Sequence, residues 1–255
     1  MITIPPSEVL AIKDVDQLRK LILRDLEGRD ITREEFFHVF GLCDAIWYHS
    51  GDPREPHVVL DSGLCSNGYV SCPKVLQYLE FCDLFAYQAA REYRKQVAEA
   101  PQWVVGSAYA ALDFSNSVAR QFGAIHGHTE KVVVKLDGGG EREEQRLKRF
   151  EIPEGMLVLD AEELMSTSGT AEKVHVGIEQ GNPHPVRFAP LLVLVHRSPV
   201  TEFRGRPIIY PPQFHLDIWT AKPEECSLCQ NGSERIDNVK DTANWQRLLS
   251  WSKAA

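Results

Sequence analysis

The spacing of apolar residues predicts helices in the first part of the chain. Residues 14–27 carry apolar side chains every three to four positions, which is typical of an amphipathic helix. Thr32 and Glu35 have the spacing of a capping box, which predicts the start of a second helix. A long helix is predicted over residues 75–100, where apolar side chains recur every four residues: Phe81, Phe85, Ala89, Tyr93 and Val97. The N-terminal part is therefore expected to be largely helical.

Two further patterns follow the periodic segments. Residues 50–73 are rich in Gly and Pro and contain short apolar runs, which predicts a small antiparallel flap over residues 58–70. Residues 137–149 are Gly-rich and then densely charged, which predicts a mobile loop or an exposed hairpin.

After residue 100, short apolar runs alternate with helical patterns. Helices are predicted over residues 107–122 and 169–180. The apolar runs, each of strand length, are residues 103–105, 130–135, 156–159 and 189–196. This alternation predicts an α/β fold with a parallel sheet covered by helices on both faces.

Composition and charge narrow the class of protein. Of 255 residues, 43% are hydrophobic and 25% are charged, which is the composition of a folded globular chain. The net charge of −8 argues against a nucleic-acid partner, because phosphate binding needs a basic surface. The longest apolar stretch, residues 188–195, is too short to span a membrane. No secretory signal is evident at the start, so a cytoplasmic protein without a membrane partner is expected.

The most informative segment follows the apolar run at residues 156–159. Two adjacent carboxylates, Glu162 and Glu163, precede a run of hydroxyl residues and glycine at residues 166–170. Hydroxyls and backbone N–H groups at a helix N-terminus favour an anion, and paired carboxylates can bind ribose hydroxyls or a divalent cation. An ordinary acidic loop that caps a helix is the alternative interpretation of the same residues.

This segment resembles the 5-phosphoribosyl diphosphate motif of the type I phosphoribosyltransferases. That motif is an apolar strand, two acids, two apolar residues and a phosphate loop. Other segments are similar, in the same order, to the orotate phosphoribosyltransferase branch: residues 60–69, 106–111, 150–155 and 226–233. Together these segments support a resemblance over most of the chain.

The resemblance implies a fold and an activity. The fold is a type I phosphoribosyltransferase-like core, a mainly parallel sheet flanked by helices, with a helical N-terminus and a small flap, or hood. A single domain is expected, with residues 1–75 as helices and flap, 76–200 as core and 201–255 as a C-terminal extension. The implied reaction moves ribose 5-phosphate from phosphoribosyl diphosphate, with Mg²⁺, to a nucleobase-type acceptor in nucleotide metabolism and releases pyrophosphate. The branch also implies a homodimer.

The resemblance implies roles for particular residues as well. Lys131, with Lys135 as a second candidate, and Glu163 are the implied catalytic residues. The implied substrate contacts come from the two acids, the phosphate loop, the diphosphate loop and the flap: Glu162, Glu163, Ser166, Thr167, Ser168, Gly169, Thr170, Ser107, Ala108, Tyr109, Ser62 and Gly63.

Some positions depart from the branch. Glu172 stands where a base-contacting Arg is expected, and Asp61 replaces a cationic or neutral residue near the base. Because a carboxylate repels an anionic base, these residues predict weak or no turnover of orotate. Ala110 and Ala111 replace Lys and Gly in the diphosphate loop. A non-catalytic regulator that binds a phosphoribosyl ligand on the same scaffold is therefore the alternative hypothesis.

The tail contains a pair of cysteines with metal-ligand spacing, Cys226 and Cys229. A structural zinc needs four ligands, so this pair is half of a site. The candidates for the other half are Cys43, Cys65, Cys72, a histidine or a second subunit. Two reduced thiols in a tight turn are the alternative.

Overall fold

A computed structural model of the protein describes residues 5–25, 28–107, 109, 111–135 and 139–254, with backbone only at 21–25 and 252–254. The chain divides into two compact units. The first comprises residues 1–36 and 76–216, and the second comprises residues 37–75 and 217–255. The single domain implied by the resemblance stays a prediction.

The N-terminal part is helical, as predicted. The helices in chain order are α1 (Pro6–Ala11), α2 (Val15–Asp25), α3 (Arg33–Leu42), α4 (Cys72–Leu76), α5 (Leu79–Gln96), α6 (Leu112–Phe122), α7 (Gly169–Gly181), α8 (Ser227–Gln230) and α9 (Thr242–Ala254), with a short 3₁₀ helix at Pro212–Phe214. Within the described ranges, no helix combines the length and apolar character that crossing a membrane requires.

The strands are short, and most lie after residue 100. In chain order they are β1 (Ile46–Tyr48), β2 (His57–Val59), β3 (Cys65–Ser66), β4 (Gly68–Val70), β5 (Trp103–Gly106), β6 (Ile125–His128), β7 (Glu130–Lys135), β8 (Glu141–Arg146), β9 (Leu157–Met165), β10 (Arg187–Phe188), β11 (Leu192–His196), β12 (Glu202–Phe203), β13 (Arg206–Pro207), β14 (Thr220–Ala221) and β15 (Arg235–Ile236). The sequence therefore specifies an α/β fold with a helical start, a small flap and a strand-rich core.

The first unit is built around a parallel sheet with the order β10–β9–β5–β6, in which β11 also pairs with β9. Trp103 of β5 pairs with Val158 of β9 and with Ile125 of β6. Pro190 lies between β10 and β11, and its missing backbone N–H accounts for the interruption. The parallel sheet is thus confirmed for residues 103–105, 156–159 and 189–196.

Residues 130–135 form a strand, as predicted, but their predicted place in the parallel sheet is wrong. These residues form β7, which pairs antiparallel with β8 in a separate two-stranded sheet, and β6 takes the place beside β5. The physical reason is visible in the burial of β7, which alternates between half-buried and exposed positions. Its β-branched residues therefore form one strand of a hairpin. The other strand is β8, which lies within residues 137–149, where the sequence predicts a mobile loop or an exposed hairpin.

Helices cover this sheet with the apolar faces that the sequence predicts. On α5 the buried residues include Phe81, Phe85, Ala89 and Tyr93. On the α7 side, Val174 and Ile178 pack in a cluster with five other buried residues: Trp103, Val105, Leu147, Ile152 and Val158. Burial of such side chains contributes about 1.5–3 kcal/mol each, which holds the strands in register.

The second unit joins two distant parts of the chain. Its four-stranded sheet has the order β14–β3–β2–β15, so that the two flap strands lie in the centre and a C-terminal strand pairs with each of them. Trp47 and Val58 pack against Trp245 and Leu248 of α9 in one buried cluster. The C-terminal extension is therefore an integral part of the flap's hydrophobic core.

Gly177 of α7 tests the packing of the β7–β8 hairpin. A Cβ atom at this position would lie 2.3 Å from the backbone oxygen of Gln145 in β8, so Gly177→Ala must push the hairpin away. We expect a loss of about 1–3 kcal/mol in the free energy of unfolding, measured by denaturant titration.

The matched control is Gly41→Ala in α3, where nothing lies within 4 Å of the added carbon. Alanine favours a helix over glycine by about 1 kcal/mol, so this variant should be as stable as the wild type or more stable. Equal stability of the two variants would contradict the close contact at Gly177.

Candidate functional site

The candidate site lies at the carboxyl ends of two neighbouring parallel strands. The pairing of β5 with β9 ends at Val105 and Asp160, and β9 continues to Met165. The predicted acids Glu162 and Glu163 therefore lie inside a strand, and not in the loop after it. In open α/β sheets, ligands bind at this edge, where the strands lead into helices.

Glu162 connects the two strand ends. It is buried, and the hydroxyl of Ser107, just after β5, donates a hydrogen bond of 2.8 Å to its carboxylate. Burial and the neighbouring acids Asp160 and Glu163 raise the pKa of Glu162 well above its usual range, while the hydroxyl and backbone N–H of Ser107 oppose that shift. The predicted site residues Ser107 and Glu162 are thus brought together.

Asp160 is a third acid at this edge that the sequence analysis did not single out. It is fully buried, with a carboxylate oxygen 3.5 Å from Nε2 of His175 on α7. Burial raises the pKa of Asp160 well above its usual range, and burial lowers the pKa of His175 to about 3. The alternation of side chains along a strand was the available signal, because it places residues 160 and 162 on the same face.

Glu163 completes the group of acids. Burial raises its pKa to about 7, so its charge changes near neutral pH. Three carboxyl groups within four consecutive residues of one strand are costly to ionise together in a desolvated place. A cation or a set of ribose hydroxyls at this edge would favour their ionised forms.

The hydroxyl-rich run connects β9 to α7. Ser166, Thr167, Gly169 and Thr170 are exposed and Ser168 is partly exposed, so the run faces solvent. Ser168 is the N-cap residue of α7, and its side chain makes no capping hydrogen bond. The start of this helix therefore presents hydroxyls and backbone N–H groups to the solvent, as an anion site requires.

The loop after β5 is shaped by a close approach to α6. A Cβ atom on Gly106 would lie 2.3 Å from the side-chain oxygen of Ser115, so only glycine fits here. Tyr109 is 79% exposed and reaches into solvent. The predicted contact Ala108 lies outside the described residues. Of the diphosphate-loop predictions, the structure thus places Ser107 at the acids and Tyr109 on the surface.

The predicted lysines lie on the β7–β8 hairpin. Lys131 and Lys135 are both exposed on β7, and the amino group of Lys131 lies 3.3 Å from the carboxylate of Glu143 on β8. Because side chains alternate along a strand and the two lysines are four residues apart, both point to the same face of β7. The hairpin thus carries both candidate cations on an exposed face.

The remaining predicted residues belong to the second unit. Ser62 and Gly63 form the exposed turn between β2 and β3, with Gly63 in the left-handed region at φ 78°. Asp61 beside them pairs with Lys240 at 2.5 Å. Cys226 and Cys229 of the tail converge with Cys65 and His57 of the flap. Cys65 is one of several ligands that the sequence predicted as candidates, whereas no local pattern distinguishes His57 from the other histidines.

The raised pKa of Asp160 makes a prediction for stability. The unfolded value is about 3.9, so between that pH and the higher folded value the folded chain keeps a proton that the unfolded chain has released. The free energy of unfolding must therefore fall as pH rises through this window, by about 1.4 kcal/mol per pH unit for one such group.

Asp160→Asn cannot ionise, so we expect a smaller loss of melting temperature between pH 5 and pH 8 and a more stable protein at the upper end. Asp113→Asn, at an exposed aspartate of the same unit, is the control and should follow the wild type. Parallel pH profiles for Asp160→Asn and the wild type would contradict the buried, protonated carboxyl.

Comparison with known proteins shows the family of this chain. The sequence matches no protein-family model. It is 30% identical over 180 residues to the orotate phosphoribosyltransferase of Caldicellulosiruptor bescii, an alignment that covers 70% of this chain and 85% of the relative. It is also 30% identical over 184 residues to the orotate phosphoribosyltransferase of Heliobacterium modesticaldum, covering 71% of this chain and 88% of the relative.

A solved structure adds a comparison of folds. The orotate phosphoribosyltransferase of Aeropyrum pernix aligns with a TM-score of 0.48 and 18% sequence identity, over 68% of this chain and 90% of that one. The membership rests on the sequence relatives, whose alignments span most of their own length. This chain belongs to the orotate phosphoribosyltransferase family, a family of glycosyltransferase-type enzymes.

Proposed function

We propose that the protein is a phosphoribosyltransferase that binds 5-phosphoribosyl diphosphate at the carboxyl ends of β5 and β9. One observation carries the proposal: a hydrogen bond joins Ser107 to Glu162 at one sheet edge, with Glu163 next in the strand, immediately before the hydroxyl-rich start of α7. The relatives' names point to the same chemistry. Each half of the ligand then has a suitable partner: the acids can bind the ribose hydroxyls, and the start of α7 can bind the 5-phosphate.

In the proposed complex, Ser166 to Thr170 hold the 5-phosphate through backbone N–H groups and hydroxyls. Glu162 and Glu163 accept hydrogen bonds from the ribose hydroxyls, and Ser107 keeps Glu162 in place. Lys131, or Lys135, offsets the charge that develops on the leaving diphosphate. These groups position the ligand and stabilise charge, so no side-chain nucleophile is needed.

The transfer balances without a further reactant. The lone pair of a ring nitrogen of the acceptor forms the N–C1 bond, the C1–O bond breaks, and pyrophosphate leaves with the bonding electrons. The nitrogen releases its proton to solvent. Carboxylate oxygens are the donor type that Mg²⁺ prefers, so Glu162 and Glu163 would be the residues to hold the ion beside the ligand. When bound with the ligand, Mg²⁺ supplies positive charge beside the diphosphate.

Glu163 should give the reaction a pH dependence. With a pKa of about 7, its carboxylate is lost as pH falls below neutrality, and hydrogen bonds to the ribose are lost with it. We expect kcat/KM for phosphoribosyl diphosphate to fall about tenfold per pH unit below 7 and to level off above it.

Glu163→Gln should lower kcat/KM at least about tenfold and flatten this profile. Glu154→Gln, at an exposed acid of the loop before β9, is the control and should keep both the rate and the profile. An unchanged profile in Glu163→Gln would contradict the role of that carboxylate.

The acceptor is proposed to be a nucleobase-type ring, and the low turnover of orotate stays a prediction. Glu172 is bound by Arg204 at 2.6 Å and Asp61 by Lys240, so each repels an anionic base less than a lone carboxylate would. The remaining charge of Glu172, in the first turn of α7, still opposes an anion near the phosphate loop.

A panel of orotate, uracil, purine bases and nicotinate, each with phosphoribosyl diphosphate and Mg²⁺, measures this effect. We expect slow turnover of orotate and a rise of several-fold in Glu172→Gln relative to the uncharged bases. Glu179→Gln is the matched control, because the same Arg204 binds Glu179 at 2.6 Å about two turns farther along the same face of α7. Orotate as the fastest substrate of the wild type would contradict the prediction.

The regulator remains the second candidate function. Lys131 already forms an ion pair with Glu143, and Ala111 stands where the branch carries glycine. Both features favour a protein that binds the ligand without transferring its ribose 5-phosphate. Tight binding of phosphoribosyl diphosphate, with no release of pyrophosphate from it in the presence of any base, would select the regulator. The homodimer likewise stays a prediction, which light scattering tests.

A further inference from the structure

Four potential metal ligands from distant parts of the chain meet in the second unit. They are Nε2 of His57, and the sulfurs of Cys65, Cys226 and Cys229, all within 4.8 Å of one another. His57, Cys65 and Cys226 are fully buried and Cys229 is partly buried. We propose that these four residues bind a structural zinc ion. The inference does not depend on the transferase activity.

The distances between the ligand atoms fit a tetrahedron around zinc. With Zn–S bonds of about 2.3 Å and a Zn–N bond of about 2.0–2.1 Å, a tetrahedral site has S···S edges of about 3.8 Å and S···N edges of about 3.5 Å. The sulfurs of Cys65 and Cys229 lie 3.6 Å apart. Nε2 of His57 lies 3.4 Å from the sulfur of Cys229 and 3.8 Å from that of Cys226.

The hydrogen bonds around His57 turn a lone pair towards the sulfurs. The hydroxyl of Ser233 donates its proton to the backbone oxygen of Glu55 at 2.5 Å. The 2.9 Å contact between Ser233 Oγ and Nδ1 of His57 therefore has the ring nitrogen as donor. Nε2 is then unprotonated, and an unprotonated ring nitrogen is the form that binds a metal. The hydroxyl of Ser233 orients the ring.

The cysteine pair of the tail is held in a compact turn. Cys226 is the N-cap residue of α8, and its backbone oxygen accepts a hydrogen bond of 3.1 Å from the N–H of Gln230. Gly232, at φ 84°, reverses the chain so that Ser233 returns to His57. The same short segment thus supplies two ligands and the residue that orients a third.

The complete ligand set indicates a structural role. Three thiolates and one imidazole fill all four positions of zinc, so no open position is left for water or substrate. A disulfide between Cys65 and Cys229 is the competing outcome, but it would use two sulfurs and leave Cys226 and the oriented Nε2 of His57 without a function. Zinc accounts for all four groups.

The site would hold together strands that pair only briefly. The pairings of β15 with β2 and of β14 with β3 each extend over two residues. His57 begins β2, Cys65 begins β3, and the two tail cysteines lie between β14 and β15. Zinc would therefore fasten the C-terminal segment to the flap where backbone pairing is short.

The test measures metal directly on the full chain. Protein purified under reducing conditions without a metal-affinity step should contain one zinc per chain by mass spectrometry. Cobalt titration of the metal-free protein should give the visible bands of tetrahedral coordination and a sulfur-to-cobalt charge-transfer band. Cys226→Ser and Cys229→Ser should lower the zinc content at least about tenfold.

Cys72→Ser is the matched control, since Cys72 is a buried cysteine of the same unit outside the cluster, and it should retain the metal. If a ligand variant does not fold, the cobalt spectrum of the wild type decides alone. Wild type without zinc and without tetrahedral cobalt bands would overturn the proposal. So would a Cys65–Cys229 disulfide in protein alkylated before digestion.

Discussion

The parallel register between β5 and β9 determines where every group of the first unit's site can lie. Val105 pairs with Asp160, and the two strands separate immediately beyond that pair. Ser107 then follows one strand end while Glu162 lies on the other, so that a hydrogen bond joins them across the opening. A shift of one residue would turn Asp160 and Glu162 to the opposite face, and the buried cluster that contains Trp103 and Val158 opposes such a shift.

Burial of these acids opposes their ionisation. The residues that a sugar and a divalent cation would need are carboxylates, yet the strand that presents them is surrounded by apolar side chains. The hydrogen bonds from Ser107 favour the ionised form of Glu162, whereas the pKa of Glu163 stays at about 7. An acid poised in this way is stable as a neutral group and becomes charged when a cation or hydroxyl donors arrive, which is common where ligands bind.

Sequence reasoning succeeded where a signal is local. The periodic stripe of α5 and the two acids before a hydroxyl run each lie within one short segment, so pattern and position were predictable. It failed for residues 130–135, because β-branched residues favour a strand without saying which partner the strand pairs with. Asp160 was overlooked for a different reason: it lies in an apolar run, and its neighbour His175 is fifteen residues away. His57 and Cys226 are 169 residues apart, a distance at which no local pattern exists.

The interrupted path of the second unit has a consequence for how the chain folds during synthesis. Residues 37–75 leave the ribosome early, but their partners β14, β15 and α9 are made only after residues 76–216. The apolar side chains of Trp47 and Val58 therefore stay uncovered while the intervening residues are synthesised. Because the loop that must close is long, the assembly of this core is slow. The flap therefore completes its hydrophobic core only after the first unit has been synthesised, and its apolar surface is open to chaperones and proteases until then.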